Sequence, residues 1–426
     1  MTTQRELKCC EAEHNGKSLP DGWKVVRLGE VAEINQRRPS GLDRADGRPT
    51  TFVPMAAVDA QHGVIAAAET RPYGEVKKGY TYFAEGDVLF AKITPCMQNG
   101  KHAIARQLID GIGFGTTEFH VIRPGIDVVA EWAHFYIRQP QILRDAMAHF
   151  TGAVGQQRVP KDFLADLEIP LPSLTEQKRI AGILKEQLAA MERARAAAQA
   201  QLEAAKALPA AYLRDVFSPE GMRDWQQNPL GDIANIVSGI TLGRKLKNGQ
   251  PTSAVPYLRV ANVKDGHLNL DDVYDIEATQ GEIEKLRLFR GDILLTEGGD
   301  RDKLGRGTFW QEELPLCIHQ NHIFRVRLDT ERYLPEFISA EIGSAYGKAY
   351  FLAHAKQTTG IATINQTVLR GFPVRAPLIG EQRRITSRLR ECLAKASDVE
   401  SVVQSQLDTV EALPAALLRA AFQGKL

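Results

Sequence analysis

One long stretch of this chain occurs twice. Pro172-Ser173-Leu174-Thr175-Glu176-Gln177-Lys178-Arg179-Ile180 returns as Pro377-Leu378-Ile379-Gly380-Glu381-Gln382-Arg383-Arg384-Ile385, displaced by 205 positions. At the far end, Leu208-Pro209-Ala210-Ala211-Tyr212-Leu213-Arg214-Asp215-Val216-Phe217 returns as Leu413-Pro414-Ala415-Ala416-Leu417-Leu418-Arg419-Ala420-Ala421-Phe422 at the same displacement. Two segments of equal length therefore occupy equivalent places, and the chain must fold as a tandem design.

The repeated segments predict helices. Ala, Glu, Gln, Lys, Arg and Leu dominate them, and neither Gly nor Pro falls between Leu184 and Leu208, which suits a long uninterrupted helix. Leu184, Leu188, Met191, Arg195, Ala198, Leu202 and Ala205 alternate four-three, as do Leu389, Leu393, Ala396, Glu400, Val403, Leu407 and Val410. That is a heptad seam in both copies. Ser173 is placed to cap the first helix with Glu176 three residues on, and Glu381 is the acid that suits the start of the second.

An Ala-rich amphipathic helix can serve as an ordinary core helix. Here two matched helices, each about 48 Å long before its proline, bury their seams most simply against each other. A two-fold relation between the copies makes the pair antiparallel. Leu184, Leu188, Leu202, Leu389, Leu393 and Leu407 are then expected to line the helix pairing, with Arg195 facing Glu400 at the centre and fixing the register.

The 426 residues suffice for two or three domains, with an ordinary globular composition of 43% hydrophobic and 25% charged residues. A net charge of +1 gives no global footprint for nucleic acid, so such a surface has to come from local clustering. Residues 233–264 hold Arg244, Lys245, Lys247, Arg259 and Lys264 without an acid, and residues 342–380 hold Lys348, Lys356, Arg370 and Arg375 without one. Five cysteines with no CxxC pair fit reduced thiols rather than a disulfide frame or zinc site. No apolar run approaches 18 residues and the N-terminal stretch lacks a signal-like core, so a soluble, cytoplasmic and nucleoid-associated chain with no membrane partner is expected.

The parts outside the helices match in framework only. Residues 1–18 are expected to be a disordered tail. Leu28-Gly29-Glu30-Val31-Ala32-Glu33-Ile34 is echoed by Leu230-Gly231-Asp232-Ile233-Ala234-Asn235-Ile236, and each lead-in is followed by a basic loop: Arg37, Arg38 and Arg44 in the first half, Arg244, Lys245 and Lys247 in the second. Alone, such loops are most simply solvated surface. Gly86-Asp87-Val88-Leu89-Phe90-Ala91-Lys92 then matches Gly291-Asp292-Ile293-Leu294-Leu295-Thr296-Glu297, a turn and buried strand feeding a loop. The loops carry Gln98, Asn99 and Gly100-Lys101 in one half, and Arg301, Lys303 and Gly305-Arg306 in the other. A glycine followed by a cation lets the backbone approach an anion.

Beyond the loops, Thr116 and Gln320-Asn321 precede alternating strands. Thr151-Gly152 with Gln156, Gln157 and Arg158 is answered by Thr359-Gly360 with Gln366. Gln, Asn and Arg are the side chains that read base edges through paired hydrogen bonds. His319 and His322 form an HxxH without further obvious ligands, better suited to hydrogen bonding than to metal.

Convincing catalytic chemistry is missing. There is no Walker A loop, no Gly-rich cofactor fingerprint, no Asn-Pro-Pro-aromatic tetrad for amino methylation, no GxSxG and no Cys/His metal set. Asp292 with Glu297 resembles a nuclease carboxylate pair only superficially. Asp292 belongs to a repeated turn, and Glu297 corresponds to Lys92.

The layout resembles the specificity subunit of type I restriction-modification systems over essentially the whole chain after the tail. Leu19-Pro20-Asp21-Gly22-Trp23, the Gly-Asp-(Val/Ile)-Leu turns at 86 and 291, the Thr-Gly stretches at 151 and 359, the paired Pro-x4-Gln-(Lys/Arg)-Arg-Ile helix starts and the Leu-Pro-Ala-Ala ends carry the resemblance.

It implies an α+β fold: two pseudo-two-fold-related globular α/β target-recognition domains, at 19–172 and 218–377, separated by a pair of long antiparallel coiled-coil helices at 173–217 and 378–426. Each domain would read one half of a bipartite site in double-stranded DNA. The helices would set the spacer and dock two methyltransferase subunits, and motor-nuclease subunits would join to cut. No cofactor is expected on this chain, and S-adenosylmethionine, ATP and Mg would belong to the partners. A coiled-coil adaptor with two protein-binding modules is the alternative, and a duplicated enzyme with an unseen motif a third reading.

Overall fold

The computed structural model describes residues 13–14, 17–42, 44–153, 156–245, 250–299, 304–358 and 361–426. Two compact units divide the chain. Met1–Ala198 and Gln406–Leu426 form the first, and Gln199–Ser405 forms the second.

The first unit holds a four-stranded antiparallel sheet ordered His102–Ile104, Val88–Ala91, Phe119–Pro124, Ala32–Ile34. A second sheet runs Glu69–Pro72, Pro49–Val53, Ile112–Gly115, Thr81–Ala84, with its middle pair parallel. The second unit repeats the plan. Gly307–Phe309, Ile293–Thr296, Ile323–Leu328 and Ala234–Ser238 stand in the same order, and Tyr274–Ala278, Ser253–Leu258 and Ile318–His319 again contain a parallel pair. Apolar residues occupy every place in Val88–Ala91 and all but the last in Ile293–Thr296, and all are buried, as suits central strands covered on both faces.

The repeated Gly-Asp turns are locks that hold these sheets. Gly86 and Gly291 have φ of 86° and 90°, a conformation that other residues reach only with strain. The Asp87 carboxylate accepts from the Ala84 N–H at 2.7 Å and takes the Arg123 guanidinium at 2.8 and 2.6 Å. Asp292 accepts from the Phe289 N–H at 2.7 Å and takes Arg327 at 2.7 Å twice. Both carboxylates are almost fully buried, so Asp292 is a structural anchor.

Leu174–Val216 and Ile379–Ala421 are helices of 43 residues each, carried through Pro209 and Pro414. Ser173 Oγ accepts from the Glu176 N–H as its cap position predicts, whereas the Glu176 carboxylate is taken by Arg179. Gln177 and Gln382 are buried and fasten each helix start to its own unit.

All the heptad positions, Leu184, Leu188, Met191, Arg195, Ala198, Leu202 and Ala205 with Leu389, Leu393, Ala396, Glu400, Val403, Leu407 and Val410, are buried or half-buried. In the first unit, the beginning of the first helix packs Leu184 in a cluster with Leu418, Ala421 and Phe422 from the end of the second. In the second unit, Tyr212, Leu213 and Val216 share a cluster with Ile385 and Leu389. Helix directions are opposed in both.

The expected central pair is corrected. Arg195 makes a bidentate ion pair with Glu192, one turn back on its own helix, at 3.1 and 2.9 Å. That carboxylate raises the guanidinium's pKa, and the charge of Glu411 adds to it. The acid on the second helix that acts on Arg195 thus lies eleven residues (411 less 400), or about three turns, beyond Glu400. A heptad fixes which face is buried and leaves the axial register to the ends.

Within the expected tail, Glu13–His14 and Lys17–Ser18 pair antiparallel. The remainder, residues 1–12 and 15–16, lies outside the described residues.

Candidate nucleic-acid interface

The end of the central strand meets the same two neighbours in each unit. In the first, the Lys92 N–H donates to the Glu118 carbonyl at 2.9 Å, and the Val159 N–H donates to the Lys92 carbonyl at 2.9 Å. In the second, the Glu297 N–H donates to the His322 carbonyl at 2.9 Å, and the Ile364 N–H to the Glu297 carbonyl at 2.8 Å. Lys92, Glu118 and Arg158 thus correspond to Glu297, His322 and Thr363. One backbone junction carries two different sets of side chains.

The first set is a basic cluster built around one acid. Arg158 binds Glu118 through two hydrogen bonds of 2.9 Å, which lower the pKa of the carboxyl below its ordinary range, with the charge of Lys92 adding to the effect. Its other guanidinium nitrogen donates to the Gln156 carbonyl at 3.0 Å, and the Gln157 carbonyl accepts from the Thr94 N–H at 3.0 Å. Thr116 Oγ1 accepts from the Glu118 N–H at 3.3 Å and shapes the turn before it. The structure therefore brings Lys92, Thr116, Gln156, Gln157 and Arg158 to one place.

The second set is acidic and polar. His322 Nδ1 lies 2.6 Å from Glu297 Oε2, and Asn321 Nδ2 lies 3.4 Å from His322 Nε2. Gln320 stands beside them with Oε1 accepting from the Val260 N–H at 3.3 Å. His319 faces the other way, with Nδ1 on the Ile323 carbonyl at 3.0 Å, and burial pushes its pKa down to about 4. HxxH thus splits between a surface and a core. Among the described residues no group of three His, Cys, Asp or Glu is placed to hold a metal ion.

Several expected contact residues serve the fold. Lys101 follows Gly100, whose φ is 72°, but its ammonium turns inward and donates to the Met55 and Val58 carbonyls at 3.0 Å each. Arg44 is bound to Asp110 at 2.6 Å with its side chain 11% exposed. Arg244 makes a bidentate pair with Glu282 at 2.6 and 2.8 Å, and Gln366 donates to the Ile236 carbonyl at 2.6 Å. Arg38 donates to Tyr73 Oη at 3.0 Å. These side chains position loops.

Arg37, Asn99 and Lys245 are exposed, and so is Gln98, which lies against Met147 Sδ at 3.5 Å. Arg306 is half-buried, its carbonyl accepting from the Thr296 N–H at 3.0 Å. Lys247, Arg301, Lys303 and Thr359 lie outside the described residues. Sequence reasoning missed Glu118 and set Glu297 and His322 aside, although the equal spacing of Lys92 and Glu297 from their Gly-Asp turns marks the junction.

No helix among the described residues is long and apolar enough to cross a membrane. Known proteins match this chain in three ways. A family model described as a type I restriction modification DNA specificity domain matches residues 20–203. The EcoEI specificity subunit of Escherichia coli is 39% identical over 180 residues, 42% of this chain and 30% of that protein's length. The EcoBI specificity subunit of the same species is 24% identical over an alignment covering 100% of this chain and 90% of its own. The crystal structure of the HsdS subunit from Thermoanaerobacter tengcongensis superposes with a TM-score of 0.67 at 21% identity, covering 97% of this chain and 99% of that one. The chain thus shares the fold of that HsdS subunit, spans less than a third of the length of the EcoEI and EcoAI specificity subunits it matches at 39% identity, and is similar over residues 20–203 to the DNA specificity domain of type I restriction-modification systems.

Proposed function

We propose that this chain selects the DNA sequence on which a type I restriction-modification complex acts, each module reading one half of a bipartite site in double-stranded DNA. The observation that carries this reading is the repeated junction. An identical backbone frame presents Lys92, Glu118 and Arg158 in one module and Glu297, His322 and Thr363 in the other. A conserved frame with exchanged side chains is what two readers of different sequences require.

On this reading the paired helices set the unspecified spacer and dock two methyltransferase subunits, and motor-nuclease subunits complete the assembly. Modules held about one turn of DNA apart would meet the major groove on one face. The partners would flip the target adenine and supply S-adenosylmethionine, ATP and Mg chemistry. This chain would decide where they act.

The test is co-expression with a cognate methyltransferase subunit, followed by single-molecule sequencing of host DNA for methyladenine. The reading requires one split motif, methylated on both strands and lost when this chain is deleted. A stable complex without any motif contradicts it.

A further inference from the structure

Glu297 is a carboxylate at a place where the other module offers a lysine, and it is not a spent core acid. Its side chain is 33% exposed and that of its partner His322 is 55% exposed. The 2.6 Å contact between them fixes the carboxylate through Oε2, and Asn321 supports the far side of the imidazole. Both chain segments are set by the backbone hydrogen bond from Glu297 to His322, so the pair stands on rigid strand ends rather than on a loose loop.

A carboxylate repels phosphate and has no hydrogen to give. On a surface that meets DNA it is favourable only against a donor, and the donors on major-groove base edges are the exocyclic amines of cytosine N4 and adenine N6. The first module has the converse chemistry. Lys92 and Arg158 donate only, and suit guanine O6 and N7 or a phosphate.

We propose that Glu297, oriented by His322, is a specificity-determining residue that accepts a hydrogen bond from an exocyclic base amine in the half-site of the second module. This rests on the DNA-recognition reading above. Glu297 makes the direct contact and His322 is a positioning residue.

The test is selection of the full chain, with the subunits that copurify with it, on a pool of randomised DNA duplexes. The wild-type protein is expected to select two half-sites, and failure to select any motif overturns the recognition reading and this inference with it. Glu297→Ala should relax one cytosine or adenine position in one half-site by about tenfold in preference. Every position of the other half-site should stay unchanged. Glu297→Gln, which keeps the size and removes the charge, provides a second variant should the first fold poorly.

His322→Gln should weaken preference at the same position to a smaller degree. Lys92→Ala should alter the opposite half-site only. Unchanged preference at all positions in both Glu297 variants overturns the assignment, as does a uniform loss across both half-sites.

Discussion

Gln177 and Gln382, 205 positions apart, make the same three backbone hydrogen bonds in their own units. The Gln177 amide oxygen accepts from the Val129 N–H at 3.0 Å, and its amide nitrogen donates to the carbonyls of Asp127 and Pro172 at 2.9 Å each. Gln382 accepts from Leu334 at 2.8 Å and donates to Arg332 and Pro377 at 3.0 and 2.8 Å. Both side chains are 0% exposed. No other side chain of that size offers one acceptor and two donors without charge except asparagine, which is a methylene shorter. Gln177→Ala and Gln382→Ala should each strand three buried groups and cost about 2 to 4 kcal/mol in urea unfolding of the full chain. Stability equal to wild type in both would show that water replaces the amide.

The Gly-Asp turns lead to a second prediction. Asp87 and Asp292 join a turn to a strand arginine, Arg123 and Arg327, in matching geometry. Asp292→Ala would leave the Arg327 guanidinium beside the Phe289 ring, 4.6 Å from its centre, without its carboxylate. A loss of about 2 to 4 kcal/mol is expected, because a half-broken ion pair costs more than an absent one. The double variant Asp292→Ala, Arg327→Leu should recover part of that loss in thermal unfolding. Asp292 having no effect on stability, with loss of some activity of the assembly instead, would revive a direct chemical role.

The fold was largely legible because its signals are local. Heptad spacing, Gly-Asp turns and the Pro-x4-Gln starts are each written in a few neighbouring residues, even where the groups they bind lie far along the chain, and repetition doubled each of them. The candidate interface was legible only in outline. Lys101 pairs with carbonyls 43 and 46 positions away, Arg244 with a carboxylate 38 away, and Gln366 with a carbonyl 130 away. A basic residue in a loop looks the same in sequence whether it faces DNA or a neighbouring carbonyl. The register of Arg195 failed for a related reason: a seam of Ala and Leu is nearly uniform along its length, so the anchored ends decide it.

Two glutamates in the second unit give stability opposite dependences on pH. Arg244 and the Thr279 cap hold Glu282 down to about 2 from its ordinary 4.5. Its contribution is present above pH 4.5 and is lost as pH falls towards 2. Arg244→Ala should lower stability by about 1 kcal/mol at pH 7, flatten the acid limb between pH 4.5 and 2, and meet the wild type near its foot.

Burial pushes Glu341 well above 4.5, against the opposing hydrogen bond from the Arg375 N–H. The folded state holds its proton more tightly, so no penalty exists below pH 4.5 and one grows as pH rises above it. Glu341→Gln should remove that growing penalty. Denaturant midpoints measured from pH 2 to 8 check both, and parallel curves for wild type and variants would contradict the assignments.

The ends of the two helices close each unit in the same way, and this bears on which chain breaks the fold tolerates. Phe422 packs 4.4 Å from Trp132 and 4.9 Å from Tyr136 in the first unit, as Phe217 packs 5.4 Å from Phe337 and 6.2 Å from Trp225 in the second. From Phe217 the chain runs on covalently through exposed Pro219 and Glu220 to Trp225. In the first unit the corresponding tryptophan is Trp23, edge-on to Trp132 at 5.7 Å. The segment that bears it is not joined to Phe422 by a peptide bond, yet it lies so near that a Cβ on Gly424 would collide with Pro20. Packing has closed the gap that the chain leaves. A chain joined from Leu426 to Leu19 through a few glycines and opened between Pro219 and Glu220 should therefore fold, with unchanged helical circular dichroism and a midpoint within a few degrees of the parent, since a short loop costs only about 1 kcal/mol to close or release. Loss of the cooperative transition in that permuted chain would show that the covalent link through residues 218–224, rather than the Phe217 cluster, holds the second unit together.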